Sequence, residues 1–455
     1  MTPAAPATLG RLLGRCLAAA GIERVYVAGD TAVPVAGLDG DVRAIPVGSA
    51  TLAALLADAD GRLGPAPGAA LLPGPSGPLS GRPGPVLRLS SRPGGEVPVL
   101  PVDDARVLPD AVAGSAAIAG AGVPGTASLA LTFDLAAPAP DGLGPAPIPA
   151  PVVPDPRERL PAEVDGEVVV LAGPGVVREG AVDALRALAA RAGVGVANTW
   201  GAKGVFDWQS PHHMGTVGLQ ARDFDLLGWA DAGLVLATGV DPDEAGADRW
   251  ARAGSRAVVI GAAPGRLGDL AAAWPWPPAS PRPNELYRRL AEVVQPLYRS
   301  DASPLSPGRV VADLRAALPA DGLLVADPGP AGLWVARAFP TTHPGTVLVP
   351  ATPAPGFAAA AALVAALRHP GTRPVAVTTA PVDDVTEEAV ELAARLGVGF
   401  VLEEWGTDGV AHPGEHADAL VAAQAGDGVT RLPVAVDLAQ TALLVEVAGE
   451  VVAWT

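Results

Sequence analysis

A chain of 455 residues, 49% hydrophobic and 17% charged, is long enough for about three packed domains at roughly 150 residues each. Its net charge of −17 argues against a nucleic-acid binder, whose phosphate contacts need clustered Lys and Arg, and equally against an anionic membrane surface. Cys16 is the only cysteine, so neither an intrachain disulfide nor a cysteine-based metal site can form.

Gly and Pro, 55 and 50 residues, are spread along the whole chain together with Ala, Val and Arg, a bias of composition rather than local low complexity. The 31 basic residues include a single lysine, Lys203. Arg11 and Arg15 interrupt any apolar N-terminal run, so no secretory signal is expected. The uncharged stretch 111–133 is broken by Pro124 and several glycines, and the apolar run 357–367 is too short to span a bilayer. A cytoplasmic protein is the expectation.

In chain order, the spacing predicts a helix over 9–20 stopped by Gly21, with Cys16 on its apolar face as a small core residue. A strand at 25–29 and a second helix at 50–63 follow, the grammar of a parallel sheet. Residues 73–109 are so rich in Pro and Gly that any strands there must be short; a strand at 128–135 comes next. PAPDGLGPAPIPAPVVPDP (138–156) is a proline-held linker. The middle segment alternates apolar strands, EVVVLAG at 167–173, GVGVANTW at 193–200, ADAGLVLATG at 230–239 and RAVVIGA at 256–262, with a helix at 181–192. Such continuous apolar runs suit a parallel sheet covered on both faces. A second joint, AAWPWPPASPRP (272–283), leads to a helix at 307–318 and a strand at 322–327. Then come a helix at 357–368, the strand PVAVTT, a helix at 387–396 and the strand GFVLEE. The tail, TRLPVAVDL and ALLVEVAGEVVAW, is expected to form terminal strands.

The middle segment carries a resemblance. VVVLAGPGVV, GVGVANTWGAKGVFDWQSPHHMGTVGLQ and ADAGLVLATGVDPDE resemble the central domain of acetolactate-synthase-type thiamine-diphosphate (ThDP) enzymes. There, a strand ends in a glycine turn, a Gly-Lys-Gly phrase follows the next strand, and a Gly-x-x-Gly phrase precedes an Ala-Asp strand opening. The matching positions are Gly173 and Gly175, Lys203 and Gly204, Gly215 and Gly218, then Ala230, Asp231 and Gly239. GRLLGRCLAAAGIERVYVAGD is similar to the opening of the family's pyrimidine-binding domain, and DGLLVADPGPAGLWVARAFP, including Trp334, to that of its diphosphate-binding domain. The resemblance implies three parallel-sheet α/β domains. They are a pyrimidine-type domain over 1–137, a linker at 138–160, a central domain over 161–278, a linker at 279–304 and a diphosphate-type domain over 305–455.

The resemblance also implies ThDP and Mg²⁺, and the positions it assigns to them are altered. The family glutamate that hydrogen-bonds the aminopyrimidine falls on Ala50, at the start of the second helix, with Arg62 twelve residues on. No Glu lies between Glu23 and Glu96 to replace it. In the Gly-Asp-Gly metal motif, Pro381 stands at the Asp position, and Glu403 and Glu404 stand where the Asn is expected. Substitute ligands would have to come from Asp383, Asp384, Glu403 and Glu404; the competing expectation is a helix N-terminal cap and a solvated strand end. Gly426, Asp427 and Gly428 spell the motif too late in the chain and read as a turn.

In the central domain, Gly173, Gly175, Lys203, Gly204, Gly215, Gly218 and Gly239 are the candidate cofactor-binding residues, through glycine turns whose amides face phosphates. Six tryptophans between Trp200 and Trp276 could stack on a flavin or adenine, or pack beneath the proline-rich joint; His212 and His213 read as a surface-turn pair. Three functions remain open. One is a catalytically degenerate member serving as a binding or partner subunit, as a homodimer or as a hetero-oligomer with an active homologue. The second is an active ThDP- and Mg-dependent lyase or carboligase on 2-oxo acids. The third is an FAD- or nucleotide-binding module.

Overall fold

The computed structural model describes residues 8–29, 38, 40–74, 84–90, 99–120, 124–149, 160–251, 256–281 and 284–454. They fall into two compact units, Met1–Val152 and Val153–Thr455.

The first unit opens with α1 (Leu9–Ala19), capped by Thr8, whose Oγ1 accepts the Arg11 amide at 3.3 Å. Its buried face carries Leu12, Leu13, Cys16 and Leu17, and burial pushes the Cys16 thiol up to about 11, which keeps it unreactive. There follow β1 (Arg24–Ala28), β2 (Arg43–Val47), α2 (Ala50–Leu63), β3 (Gly68–Leu72), β4 (Val86–Ser90), β5 (Leu100–Val102), α3 (Leu108–Gly120) and β6 (Thr126–Leu131). The strands form one parallel sheet in the order β2-β1-β3-β4-β6-β5. Within the proline-rich stretch, β4 has five residues and β5 three, short as expected. The sixth strand sits earlier than the sequence pattern placed it, because Thr132 and beyond leave the ladder for a turn in which the Asp134 carboxylate accepts the Ala136 amide. Of the linker, 138–149 carries no helix or strand beyond a bridge of Pro138 to Thr8, and 150–159 lies outside the described residues.

The second unit contains two further parallel sheets. The first is built from β7 (Glu167–Ala172), α4 (Gly175–Arg178), α5 (Val182–Ala192), β8 (Gly195–Thr199), β9 (His213–Val217), α6 (Asp223–Leu226), β10 (Ala232–Thr238), α7 (Ala247–Trp250), β11 (Arg256–Ile260) and α8 (Pro264–Ala272). Its strand order is β11-β10-β7-β8-β9. Residues 279–304 are more than a linker: they hold α9 (Glu285–Leu297), capped by Asn284, whose Oδ1 accepts the Tyr287 amide at 2.8 Å. The same side chain donates to the Met214 carbonyl at 2.8 Å, which fastens α9 beside β9. Leu286 and Val294 are the buried residues of this helix, and its outer face is charged.

The last sheet comes from α10 (Pro307–Ala317), β12 (Leu324–Ala326), α11 (Pro330–Ala338), β13 (Val347–Leu348), α12 (Phe357–Arg368), β14 (Val375–Thr379), α13 (Asp384–Leu396), β15 (Val401–Gly406), α14 (Pro413–Ala425) and β16 (Thr430–Ala435), in the order β13-β12-β14-β15-β16. The expected second strand of the tail is instead α15 (Thr441–Ala448). Leu444 and Ala448, one helical turn apart, are buried, and Gly449 at φ 81° ends the helix; Val451 then makes an isolated bridge to Gln220. Three parallel sheets with flanking helices make this an α/β protein of three such domains, and no helix of the described residues is long and apolar enough to cross a membrane.

Candidate functional site

At the carboxyl edge of the C-terminal sheet, β14 ends at Thr379 and the loop Ala380, Pro381, Val382 leads to α13. Asp383 is the N-cap of that helix: its Oδ1 accepts the amides of Val385 and Thr386 at 3.0 Å, and its Oδ2 accepts the Thr386 hydroxyl at 2.9 Å. Asp384 sits in the first turn. On the neighbouring strand end, Asp327 follows β12 and is buried. Its Oδ1 accepts the amide of Ala358, in the first turn of α12, at 2.7 Å, and its Oδ2 accepts the Thr378 hydroxyl at 2.7 Å. Burial pushes the Asp327 carboxyl up to about 6, against these hydrogen bonds and with a further upward push from the charge of Asp383. Two helix N-termini at one sheet edge are thus each held by a carboxylate of the chain itself.

The four candidate carboxylates do not act together. Strand β15 runs two residues past Glu404, so the loop begins at Thr407, and Glu403 lies inside the strand with no solvent exposure. Glu403 accepts the Trp405 indole N–H at 2.8 Å and meets His416 Nε2 at 3.1 Å, while His416 Nδ1 meets Asp313 at 3.0 Å. Burial alone would lower the His416 pKa, but the two carboxylates raise it to about 9, so the imidazolium is the resident form at neutral pH. Glu404 pairs instead with Arg431 at 2.5 Å. Among the described residues no three His, Cys, Asp or Glu side chains come together as a metal would need. Gly426–Gly428 forms a bend between α14 and β16.

In the first unit, Ala50 is the first residue of α2, directly after Ser49, whose Oγ accepts the Leu52 amide at 3.1 Å. Ala50, the position the resemblance assigns to the family glutamate, is a helix start whose methyl group neither donates nor accepts.

In the central sheet, the strand order reverses between β7 and β10, the crevice where α/β sheets bind ligands. Gly173 and Gly175 follow β7 and Gly239 follows β10. The amides of Gly173 and Gly175 donate to the Thr238 and Gly239 carbonyls at 2.9 and 2.8 Å. A Cβ on Gly175 would meet Gly239 Cα at 2.6 Å, so these glycines let the two turns pack against one another. Arg178 and Asp241 bridge the same crevice with a bidentate pair at 2.9 and 2.7 Å. A Cβ on Gly218 would meet the Glu244 carbonyl, another close backbone approach.

Lys203 and Gly215 meet elsewhere. Lys203 follows the 3-10 turn Trp200–Ala202, which is anchored by the Trp200 indole N–H donating to the Val349 carbonyl at 3.0 Å. Gly204, at φ 84°, lies so close to His343 that no side chain fits, and Arg186 donates to the Gly204 and Val205 carbonyls at 3.3 and 2.7 Å. The lysine is thereby held at the wall of a cavity of ≈ 240 Å³ between β9, α9 and the end of α11. Tyr287, Leu290, Val294, Tyr298 and Phe339 make its apolar body. His213 lines it too: this residue is not part of a surface turn but the first of β9, its ring edge-on to Tyr287 with centroids 5.7 Å apart. Desolvation lowers the His213 pKa to about 4, with Lys203 adding to the effect, so the ring is neutral. Arg337 also lines the cavity, but its charge is matched: it donates to Asp223 at 2.7 Å, to Gln220 at 3.0 Å and to the Thr216 carbonyl at 2.6 Å. Lys203, 6% exposed, has no such match, and no hydrogen bond or ion pair to its ammonium is found among the described residues. Burial, and then the Arg337 charge, lower its pKa to about 7. The sequence marked Lys203 by its singularity; it carried no sign of α9, Tyr287 or Arg337, which reach the site only through the fold.

Residues 165–273 match the family described as thiamine pyrophosphate enzyme, central domain. No curated protein sequence matches the chain. In fold it is similar to a putative thiamin diphosphate-dependent enzyme from Mycobacterium smegmatis, with a TM-score of 0.71 at 18% identity over 94% of this chain and 99% of that one. It is likewise similar to a thiamine diphosphate-dependent 4-hydroxybenzoylformate decarboxylase from Rhodococcus jostii RHA1, with a TM-score of 0.69, 18% identity and the same coverage. The central segment thus matches the thiamine pyrophosphate enzyme central domain, and the fold of the chain is similar to that of ThDP-dependent enzymes.

The superfamily's cofactor does not fit the residues present. A diphosphate docks on helix N-terminal amides and a metal ion bridges it. Here the α13 amides are capped by Asp383, Ala358 at the start of α12 donates to Asp327, and Pro381, at the position the resemblance assigns to a metal ligand, has no side-chain oxygen.

Proposed function

We propose that this ThDP-superfamily protein runs no thiamine chemistry of its own and serves as a binding or partner subunit, as a homodimer or beside an active homologue. The observation that carries this reading is the self-occupied edge of the C-terminal sheet, where Asp327 and Asp383 hold the amides a diphosphate would need. Replacing both metal-ligating positions costs ThDP about 4 kcal/mol, roughly a thousandfold in affinity, before the repulsion from these carboxylates is counted. The competing reading, an active Mg-dependent lyase with substitute ligands, would need Asp383 and Glu403 to abandon a helix cap and a buried imidazolium. The FAD or nucleotide reading would need the crevice that Arg178 and Asp241 bridge. Calorimetric titration of the full chain with ThDP and Mg²⁺ is the test, with no saturable heat expected at micromolar concentrations. Micromolar binding together with release of CO₂ from pyruvate would replace this reading with the lyase.

A further inference from the structure

Among the described residues of the second unit, two buried cationic side chains have acidic partners and one has none. Arg337 faces Asp223, and His416 faces Asp313 and Glu403. Lys203 faces a cavity whose lining residues include no Asp or Glu, with the like charge of Arg337 acting on it and the neutral His213 also lining the cavity. Asp207, the carboxylate felt by His213 and by Tyr287, is not among the lining residues. A buried unmatched ammonium is costly, and the cost falls away when the nitrogen gives up its proton.

An anion-binding role alone does not account for the residue type. Every other basic residue in the chain is Arg, and a guanidinium binds a carboxylate with two parallel hydrogen bonds where an ammonium acts as a point charge. What an amine does and a guanidinium cannot is add to a carbonyl carbon. Desolvation in an apolar pocket beside a second cation is the environment that makes a lysine nucleophilic.

We propose that the cavity beneath α9 binds a carbonyl compound with an apolar body and a carboxylate, and that the Lys203 amine joins it as an imine. The neutral nitrogen attacks the carbonyl carbon and a C–N bond forms. The carbonyl oxygen departs as water with both amine hydrogens, and no oxidant or reductant takes part. A protonated imine is again a cation in a cavity without acidic residues, so the ligand's own carboxylate supplies the counter-charge. Leu290, Val294 and Phe339 fit an aromatic or branched body. A second recess of ≈ 570 Å³ shares Trp208, Ala291, Gln295 and Tyr298 with the cavity and adds Glu292 and Arg299. The lowered Lys203 pKa, about 7, agrees with an amine that is half unprotonated at neutral pH. The site rests on none of the residues at the C-terminal sheet edge and stands whether or not ThDP binds there.

The test is reductive trapping on the intact full chain with 4-formylbenzoate and cyanoborohydride, read by peptide mass spectrometry. Lys203 is the only lysine, so the N-terminal amine is the reference within the same molecule. The expected result is an adduct on the Lys203 peptide that forms at least tenfold faster than on the N-terminus at pH 7. It should also form at least tenfold faster than with uncharged benzaldehyde, and its rate should rise with pH around a midpoint near 7. Label confined to the N-terminus of the native protein, or equal rates with the two aldehydes, would overturn the proposal. Lys203→Arg retains the cation, and its N-terminal labelling should be unchanged while the cavity adduct is gone.

Discussion

The edge of the C-terminal sheet and the cavity under α9 lie in one folded unit and treat buried charge in opposite ways. At the sheet edge the carboxylates of Asp327 and Asp383 are met by amides and hydroxyls, and the region offers nothing further to an incoming anion. In the cavity the buried Lys203 has no acceptor among the described residues and feels the like charge of Arg337. A polar group whose partners are all within the fold stabilises the fold; one left without partners is available to a ligand. The edge of the C-terminal sheet is in the first state, and the cavity at Lys203 is in the second.

The comparison breaks most severely at Arg337. Arg337→Met leaves the fully buried Asp223 carboxylate without its cation, for a loss of about 3–5 kcal/mol in urea unfolding. A loss below 1 kcal/mol would mean that Asp223 is not a matched charge, and the contrast with Lys203 would fail. The next effect is pH dependence at His416. Its folded pKa, near 9, lies above the unfolded value of 6.5. The proton-bound form therefore adds stability that is complete below pH 6.5 and disappears as pH rises through 9, about 3 kcal/mol in all. Unfolding midpoints at pH 6 and pH 9.5 measure it, and His416→Gln should flatten the difference.

Much of this architecture is legible in the residues. Helices α2 and α12 have the limits that their caps and apolar spacing predict, and the apolar strands of the central sheet stand where continuous Val, Leu and Ala runs put them. The tail was misread because ALLVEVAGEVV suits a strand by residue type, while burial of Leu444 and Ala448 and the stop at Gly449 select a helix. Glu403 was misread for a related reason. A pair of acids near a strand end looks solvated, and only tertiary packing brings His416 and Asp313 onto one of them. At the candidate site, Lys203 was visible from composition alone. Its neighbours were not, since Tyr287 sits in a stretch that looks like a linker and Arg337 lies 134 positions away in the numbering.

Two smaller effects sharpen the contrast, and they have opposite signs. Lys203→Met removes a cation that lacks a counter-charge, and it should leave stability unchanged or raise it by about 1–2 kcal/mol at pH 6, where the ammonium dominates, with the gain shrinking at pH 8.5. Destabilisation at both pH values would show that the ammonium has a partner. Asp383→Ala removes a helix cap and should cost about 1 kcal/mol. The same change exposes the first amides of α13 to outside anions. Inorganic pyrophosphate at millimolar concentration should therefore raise the unfolding midpoint of the variant and not that of the parent, by the mass-action stabilisation of any ligand that binds only the folded state. If parent and variant respond alike, Asp383 is not what fills the edge, and Pro381 with its missing oxygen must carry the whole difference from a ThDP-binding sheet.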